Sequence, residues 1–340
     1  MSQNVCPAPR IDLTELFNQV TRQFDDMGAI EFDEVTKQFG SVTALSNLSL
    51  TINEGEIFGF LGPNGAGKST TINLLLDFVR PTSGTVTALG HDAHTETVAV
   101  RRQTGVLPEG FDVYDRLSGQ AHIEFAIESK DGNETPAEVL DRVGLSDAAD
   151  RLAGGYSKGM KQRLALGMAL VGDPDLLVLD EPATGLDPSG AHDMRRIVLD
   201  EAASGTTVFF SSHVLEQVEA VCDRVGILRG GELVAVDSID GLRAATETGT
   251  TLSVSVESSP PEVALESVRS LDGVSSVTQV DNRTLTINCT SSAKTTVLSE
   301  LDECSLTIAD FETEETSLED LFLQYTNDTS NSTDSAEAPA

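Results

Sequence analysis

The nine residues Gly62-Pro63-Asn64-Gly65-Ala66-Gly67-Lys68-Ser69-Thr70 constrain the chain more than any other stretch. They fit G-x-x-x-x-G-K-[ST], with Gly62, Gly67, Lys68 and Ser69 in register. Residues 56–61 before them read as a buried strand, and residues 69–78 after them as a helix. That strand, loop and helix is the context in which the pattern binds a nucleotide phosphate. Glycines let successive backbone N–H groups turn inward on the β-phosphate, and the helix N-terminus adds positive potential. Lys68 would place its charge between the β- and γ-phosphates, and Ser69 would offer a hydroxyl to Mg²⁺. An ordinary glycine-rich turn before a helix has no need of Lys and Ser at those two positions.

The remaining composition narrows the class. With 340 residues and 39% hydrophobic content, the chain is long enough for one large domain and a smaller one. No apolar run is long enough to cross a bilayer, and the start shows no charged segment followed by an apolar stretch. A soluble cytoplasmic protein without a signal peptide is therefore expected. Cys6, Cys222, Cys289 and Cys304 are scattered without a C-x-x-C pair, which favours free thiols over zinc or disulfides. Acidic residues outnumber basic ones 55 to 22, for a formal charge of −33. Such a surface repels itself in dilute buffer, whereas molar salt cuts the Debye length to about 3 Å. Salt adaptation is the expectation, because Asp and Glu are spread over the whole chain rather than gathered for one basic partner. The absence of a basic patch argues against nucleic acid as a partner.

Along the chain, residues 1–28 carry Leu13, Leu16, Phe17, Val20 and Phe24 at spacings suited to one amphipathic helical face. The stretch 30–53 alternates as antiparallel strands with Phe39-Gly40 at their turn. An aromatic residue there either packs or offers a platform for a base. Residues 85–89 form a short strand, followed by the loop Gly90-His91-Asp92-Ala93-His94. His91 and His94 have a metal-like spacing but no third ligand nearby, so a solvated loop is expected. Residues 104–107 read as a strand leading into Pro108-Glu109-Gly110, and residues 118–151 as mostly helical with a break at 131–133.

Two further constellations carry chemistry. Gly155-Tyr156-Ser157-Lys158-Gly159-Met160-Lys161-Gln162-Arg163 opens a second helix with a glycine-containing turn, which is a second candidate phosphate site. Leu176-Leu177-Val178-Leu179-Asp180-Glu181 reads as a buried strand delivering two carboxylates at its C-terminal edge. In phosphate-loop enzymes such an Asp holds the Mg²⁺ hydration shell, and an adjacent Glu takes a proton from attacking water. Gly185-Leu186-Asp187 forms the next turn, and residues 208–213 are another buried strand, ending in His213.

Taken together and in this order, these residues resemble the ATP-binding subunit of ABC transporters over residues 29–245. Tyr156-Ser157-Lys158-Gly159-Met160 is similar to the signature variant of drug- and antibiotic-export subunits, and stands where the family usually has Ser-Gly-Gly-Gln. The resemblance implies an α/β P-loop NTPase cassette, built from a mixed core sheet, an antiparallel β subdomain and a helical subdomain. It implies a homodimer or heterodimer closing head to tail, with ATP held by residues 62–70 of one subunit and capped by Ser157, Lys158, Gly159 and Met160 of the other. In that arrangement Glu181 is the general base, His213 contacts the γ-phosphate, and Ser69, Asp180 and Glu109 place Mg²⁺. Asp187 signals across the dimer, and Phe39 takes the adenine-stacking position. Glu109 stands where the family normally carries Gln, and a carboxylate there adds negative charge near the γ-phosphate while remaining able to ligate Mg²⁺.

Residues 250–325 read strand, helix, strand, strand, helix, strand, helix, the order of a small ferredoxin-like α+β domain. An acidic tail, 326–340, is expected to be disordered. The resemblance implies an ATPase on the inner face of the cell membrane, energising a separately encoded permease as an exporter. A soluble ABC ATPase of repair or translation is the alternative. Such proteins commonly join two cassettes or carry zinc or coiled-coil insertions, none of which this chain shows. A phosphate-loop kinase or GTPase would need neither the signature nor the switch histidine.

Overall fold

The computed structural model describes residues 28–130, 132–245, 250–304 and 306–315. The helix expected before residue 28, the closing helix expected after residue 315 and the acidic tail lie outside the described residues.

The chain enters through two long strands, β1 (Ile30–Phe39) and β2 (Val42–Ile52), paired antiparallel from Ile30↔Ile52 to Phe39↔Val42. Strict alternation would point Val35 away from Phe32. The register slips between them, with Glu34 at φ 48°, and both side chains reach the core. β2 shows the same device at Asn47, φ 50°, between buried Leu45 and Leu48.

β3 (Ile57–Leu61) is buried throughout and delivers the phosphate loop to α1 (Lys68–Leu75). The helix ends earlier than its sequence suggests, because Asp77 adopts a left-handed φ of 54°. β4 (Ser83–Ala88) and β5 (His91–Asp92) complete a sheet of order β2-β1-β4-β5. The expected solvated loop is therefore corrected. His91 and Asp92 pair with β4, and His94 is largely buried with its Nδ1 3.0 Å from Asp77 Oδ1.

After α2 (Thr97–Arg102) and β6 (Thr104–Leu107) come α3 (Gly119–Lys130), α4 (Pro136–Arg142) and α5 (Lys158–Leu170). The helical stretch expected over 118–151 is thus two helices and a 3-10 turn. A Thr135–Glu138 capping box starts α4 after the break. β7 (Leu176–Asp180), α6 (Pro188–Ala203), β8 (Thr207–Ser212), α7 (Leu215–Glu219), β9 (Arg224–Arg229), β10 (Glu232–Ser238) and α8 (Ile239–Ala245) follow.

Among the described residues the central sheet has the order β10-β9-β3-β8-β7-β6, parallel except for β10. Both faces are covered, which is why its inner strands read as unbroken apolar runs. Phe58, Phe60, Leu176, Val178 and Phe209 pack beneath the antiparallel sheet. Ile57, Leu61, Leu177, Leu179, Val208 and Phe210 pack against the helices. α4 is tied to α6 by Arg142, whose Nε donates to buried Glu201 Oε1 at 2.6 Å and whose Nη2 donates to Oε2.

The last described residues, 250–304 and 306–315, build a third core. β11 (Thr250–Val256), α9 (Glu262–Arg269), β12 (Val274–Gln279), β13 (Thr284–Cys289), α10 (Lys294–Glu303) and β14 (Ile308–Glu315) form an antiparallel sheet of order β12-β13-β11-β14 with two helices. This is the expected ferredoxin-like arrangement. Leu252, Val254 and Val256 face Leu265, Val268, Val297 and Leu301, while Thr251, Ser253 and Ser255 occupy the other face. No helix among the described residues is long and apolar enough to cross a membrane.

Candidate active site

Three adjacent parallel strands, β3, β8 and β7, end on the same edge of the central sheet, where open α/β sheets bind ligands. The loop after β3 is held from both sides. Gly231 N donates to Ala66 O at 2.9 Å, and Ser46 N donates to Gly231 O at 2.8 Å. Gly67 has φ 115°, and a Cβ there would come within 2.8 Å of Ala44 O. Only glycine meets both demands. Lys68 opens α1 and is buried, with Nζ donating to Gly62 O at 2.6 Å.

Opposite it stand the two carboxylates at the end of β7. Asp180 Oδ1 accepts from Ser211 Oγ at 2.9 Å, the two residues being register partners of β7 and β8. Glu181 Oε1 lies 2.8 Å from His213 Nδ1 and 4.0 Å from Lys68 Nζ, and Oε2 accepts from Thr184 Oγ1 at 3.0 Å. An ionised carboxylate only accepts, so the imidazole carries its proton on Nδ1 and leaves Nε2 for another partner. Glu181 is buried at φ 52°, a left-handed conformation held by its N–H donating to Ser211 O at 3.0 Å. Strain of this kind collects at functional sites.

Burial lowers the Lys68 pKa, against the pull of Glu181, Asp180 and Glu109. Burial raises the Asp180 pKa, with Ser211 opposing the rise and the negative charges of Glu109 and Glu181 adding to it. The edge therefore gathers one ammonium and three carboxylates around a cavity of about 160 Å³, whose walls include Asn64, Gly65, Ser69 and Thr70. Ser69, Glu109 and Asp180 offer it hard oxygen donors. Among the described residues no three His, Cys, Asp or Glu side chains converge as a closed metal cage. The oxygen donors Ser69, Glu109 and Asp180 suit Mg²⁺, which binds through one or two carboxylates and completes its shell with water and phosphate oxygens.

The other expected residues fall around this cavity rather than in it. Ser157 caps α5, its Oγ accepting from Met160 N at 3.2 Å, and remains exposed. Neither Ser157, Lys158, Gly159 nor Met160 lines the phosphate cavity of its own chain. Lys158 instead lines a second cavity of about 540 Å³ with Glu109, Tyr156, Glu181 and Thr184. Asp187 caps α6 through Gly190 N at 2.9 Å. Phe39 ends β1 with 48% exposure, and Lys37 Nζ lies 4.7 Å from its ring centroid. His91 and His94 have separate partners, Glu96 and Asp77. A groove of about 430 Å³ beside the Glu109 loop is walled by Phe78, Phe111 and Phe125, which are 65%, 40% and 59% exposed.

Ser211 and Thr184 went unread in the sequence. Ser211 lies two positions before His213, but its bond to Asp180 becomes visible only once the strand register is known.

Comparison with known proteins bears on this arrangement. Residues 45–184 match the family described as ABC transporter, and residues 238–326 match the ATP-binding protein DrrA1-3-like, C-terminal domain. The chain is 43% identical to an uncharacterised ABC transporter ATP-binding protein of Nostoc sp. over 217 residues, covering 61% of this chain and 63% of that protein. It is 32% identical to the linearmycin resistance ATP-binding protein LnrL of Bacillus subtilis over 309 residues, covering 88% of this chain and 99% of that protein. A solved dimeric structure of a post-hydrolysis state of an ATP-binding cassette bound to ADP and Pi matches with a TM-score of 0.56 and 25% identity, over 62% of this chain and 98% of that one.

Ser211→Ala removes the hydroxyl that donates to the buried Asp180. Urea unfolding should show a loss of about 1–3 kcal/mol, the cost of leaving a buried acceptor unsatisfied. An unchanged midpoint would show that water replaces the hydroxyl without penalty.

Proposed function

The chain belongs to the ABC transporter ATP-binding proteins, and on that footing we propose that it hydrolyses ATP in a head-to-tail dimer to drive a separate membrane-embedded permease, as an exporter. The observation that carries the hydrolytic reading is the Glu181 carboxylate, held by His213 and Thr184 at the mouth of the phosphate loop and 4.0 Å from Lys68. Lys68 and the loop N–H groups bind the β- and γ-phosphates. Glu181 takes the proton from the attacking water, and His213 keeps Glu181 oriented through Nδ1 while its other nitrogen reaches the γ-phosphate. Ser69, Asp180 and Glu109 are the residues that would hold Mg²⁺, which when bound neutralises charge on the phosphate oxygens. Phe39 is the adenine platform, and Asp187 couples the two sites.

The dimer is supported by the exposure of Ser157 and by its separation from the phosphate cavity of its own chain. A second subunit's Ser157 and Gly159 complete the site. The dimeric cassette structure offers a precedent for such pairing. The permease is supported by the aromatic groove beside Glu109, since exposed Phe side chains on a chain of charge −33 mark a contact surface. Export is supported by likeness to a protein named for linearmycin resistance. Residues 29–245 act as the cassette, at the inner face of the membrane, and residues 250–325 as an appended domain with a core of its own.

Replacing Glu181 by Gln should lower kcat by about 10²–10⁴-fold, with ATP still bound and the ATP-dependent dimer retained. A rate within a few-fold of native would remove Glu181 from the role of base.

The partner is tested by capture of the tagged protein from detergent-solubilised membranes in molar KCl, followed by mass spectrometry. A stoichiometric multi-span protein is expected. Ribosomal or repair proteins in its place would move the chain to the soluble class.

The acidic surface is an adaptation to concentrated salt. The unfolding temperature should rise steeply as KCl goes from about 0.1 M to about 1 M, over which the Debye length falls from about 10 Å to about 3 Å. A flat profile would refute the adaptation.

A further inference from the structure

The 540 Å³ cavity brings together the two charged residues that depart from the usual motif residues, Glu109 and Lys158. Glu109 also lines the phosphate cavity, where its charge acts on both Lys68 and Asp180. Its side chain makes no hydrogen bond or ion pair among the described residues, and neither does that of Lys158. The other cation of this cavity, Lys161, is already committed, with Nζ 2.7 Å from Asp115 Oδ1 and 3.6 Å from Asp112 Oδ1. The ammonium of Lys158 lies against Gly185, in the turn that begins at Glu181 and carries Thr184. Gly185 has φ 69°, and a side chain there would collide with the ammonium. Glu109, Glu181 and Lys158 thus line one cavity, and the exposed Glu109 carboxylate and Lys158 ammonium have no hydrogen-bond or ion-pair partner among the described residues.

We propose that Lys158 is a positioning residue that supplies the counter-charge for Glu109 within its own subunit, so that the rate of ATP hydrolysis depends on the two residues as a pair. The inference rests on the ATPase reading above. Attack of water on the γ-phosphate requires Glu181 to remain an anion beside phosphate oxygens, and a carboxylate at 109 in place of a neutral amide adds one negative charge to that arrangement whether or not Mg²⁺ is bound. A cation in the lining of the same cavity offsets that charge. Gln at 109 leaves no excess charge to offset, and a cation at 158 is then dispensable. Lys158 in this role acts through the turn and field around Glu181 rather than on the substrate.

The test is a double-mutant cycle on the full-length protein, comparing native, Lys158→Gln, Glu109→Gln and the double variant by steady-state ATPase kinetics in molar KCl. Lys158→Gln is expected to lower kcat about tenfold while KM for ATP stays within about twofold. In the Glu109→Gln background the same substitution should change kcat by less than about twofold, and Lys158→Arg should keep the native rate. Thermal melts identify any variant that loses its fold, and Lys158→Met then takes the place of Lys158→Gln in the cycle. An equal loss in both backgrounds, or no loss in either, overturns the pairing. A loss confined to KM, rather than kcat, overturns it as well, since Lys158 would then be binding nucleotide directly. Native protein that binds ATP but never hydrolyses it would defeat the ATPase reading itself, a result distinct from additive variants of an active enzyme.

Discussion

Glu181 is an acidic side chain buried against a buried lysine, and the local architecture exists to make that tolerable. A carboxylate withdrawn from water survives only when its oxygens are satisfied. Here His213 and Thr184 take one oxygen each, with Lys68 4.0 Å away. Each of these partners comes from a different part of the chain. Lys68 follows β3, His213 follows β8, and Thr184 lies in the turn after β7. The site holds only if β3, β8 and β7 are neighbours, parallel and in register, which makes the central sheet's order a condition of the chemistry.

The sheet meets that condition through its two faces. Each buried strand sends alternate side chains to the antiparallel sheet and to the helices, so two separate cores clamp the same backbone. The antiparallel sheet does more than cover one face. Ala44 and Ser46 of β2 pack and bond against Gly67 and Gly231, so the phosphate loop is shaped partly by a strand that carries none of its motif. Bulges at Glu34 and Asn47 keep that strand pair apolar side inward while it bends over the loop.

Charge is distributed unevenly between surface and site. The chain as a whole is strongly acidic, and the phosphate cavity also holds more carboxylate than ammonium. An anionic nucleotide is therefore met by oriented N–H groups, a helix N-terminus and Lys68 rather than by a broad positive field. Against this background the cations near the site are few and specifically placed. Lys161 answers Asp112 and Asp115, and Lys158 rests over the turn that starts at Glu181.

Much of this was legible in the amino-acid order. The phosphate loop, the Asp180-Glu181 pair and the strand ending at His213 are local patterns whose residue types are fixed by the chemistry they perform, so each could be read within a dozen positions. The C-terminal strand and helix order was equally plain, because polar and apolar residues alternate cleanly there. Local pattern misjudged the 91–94 stretch, which pairs with β4 and anchors His94 on Asp77, and it overran α1, which a left-handed Asp77 ends. It also gave no sign of Ser211 beneath Asp180 or of Lys158 against Gly185. Those contacts join residues far apart in sequence, and only strand order, register and helix packing decide which distant side chains meet. The sequence by itself determined which groups were available to hold a phosphate and move a proton. The tertiary structure decided which of them stand within bonding distance, because burial and hydrogen-bond geometry are properties of the packed sheet and not of any one segment.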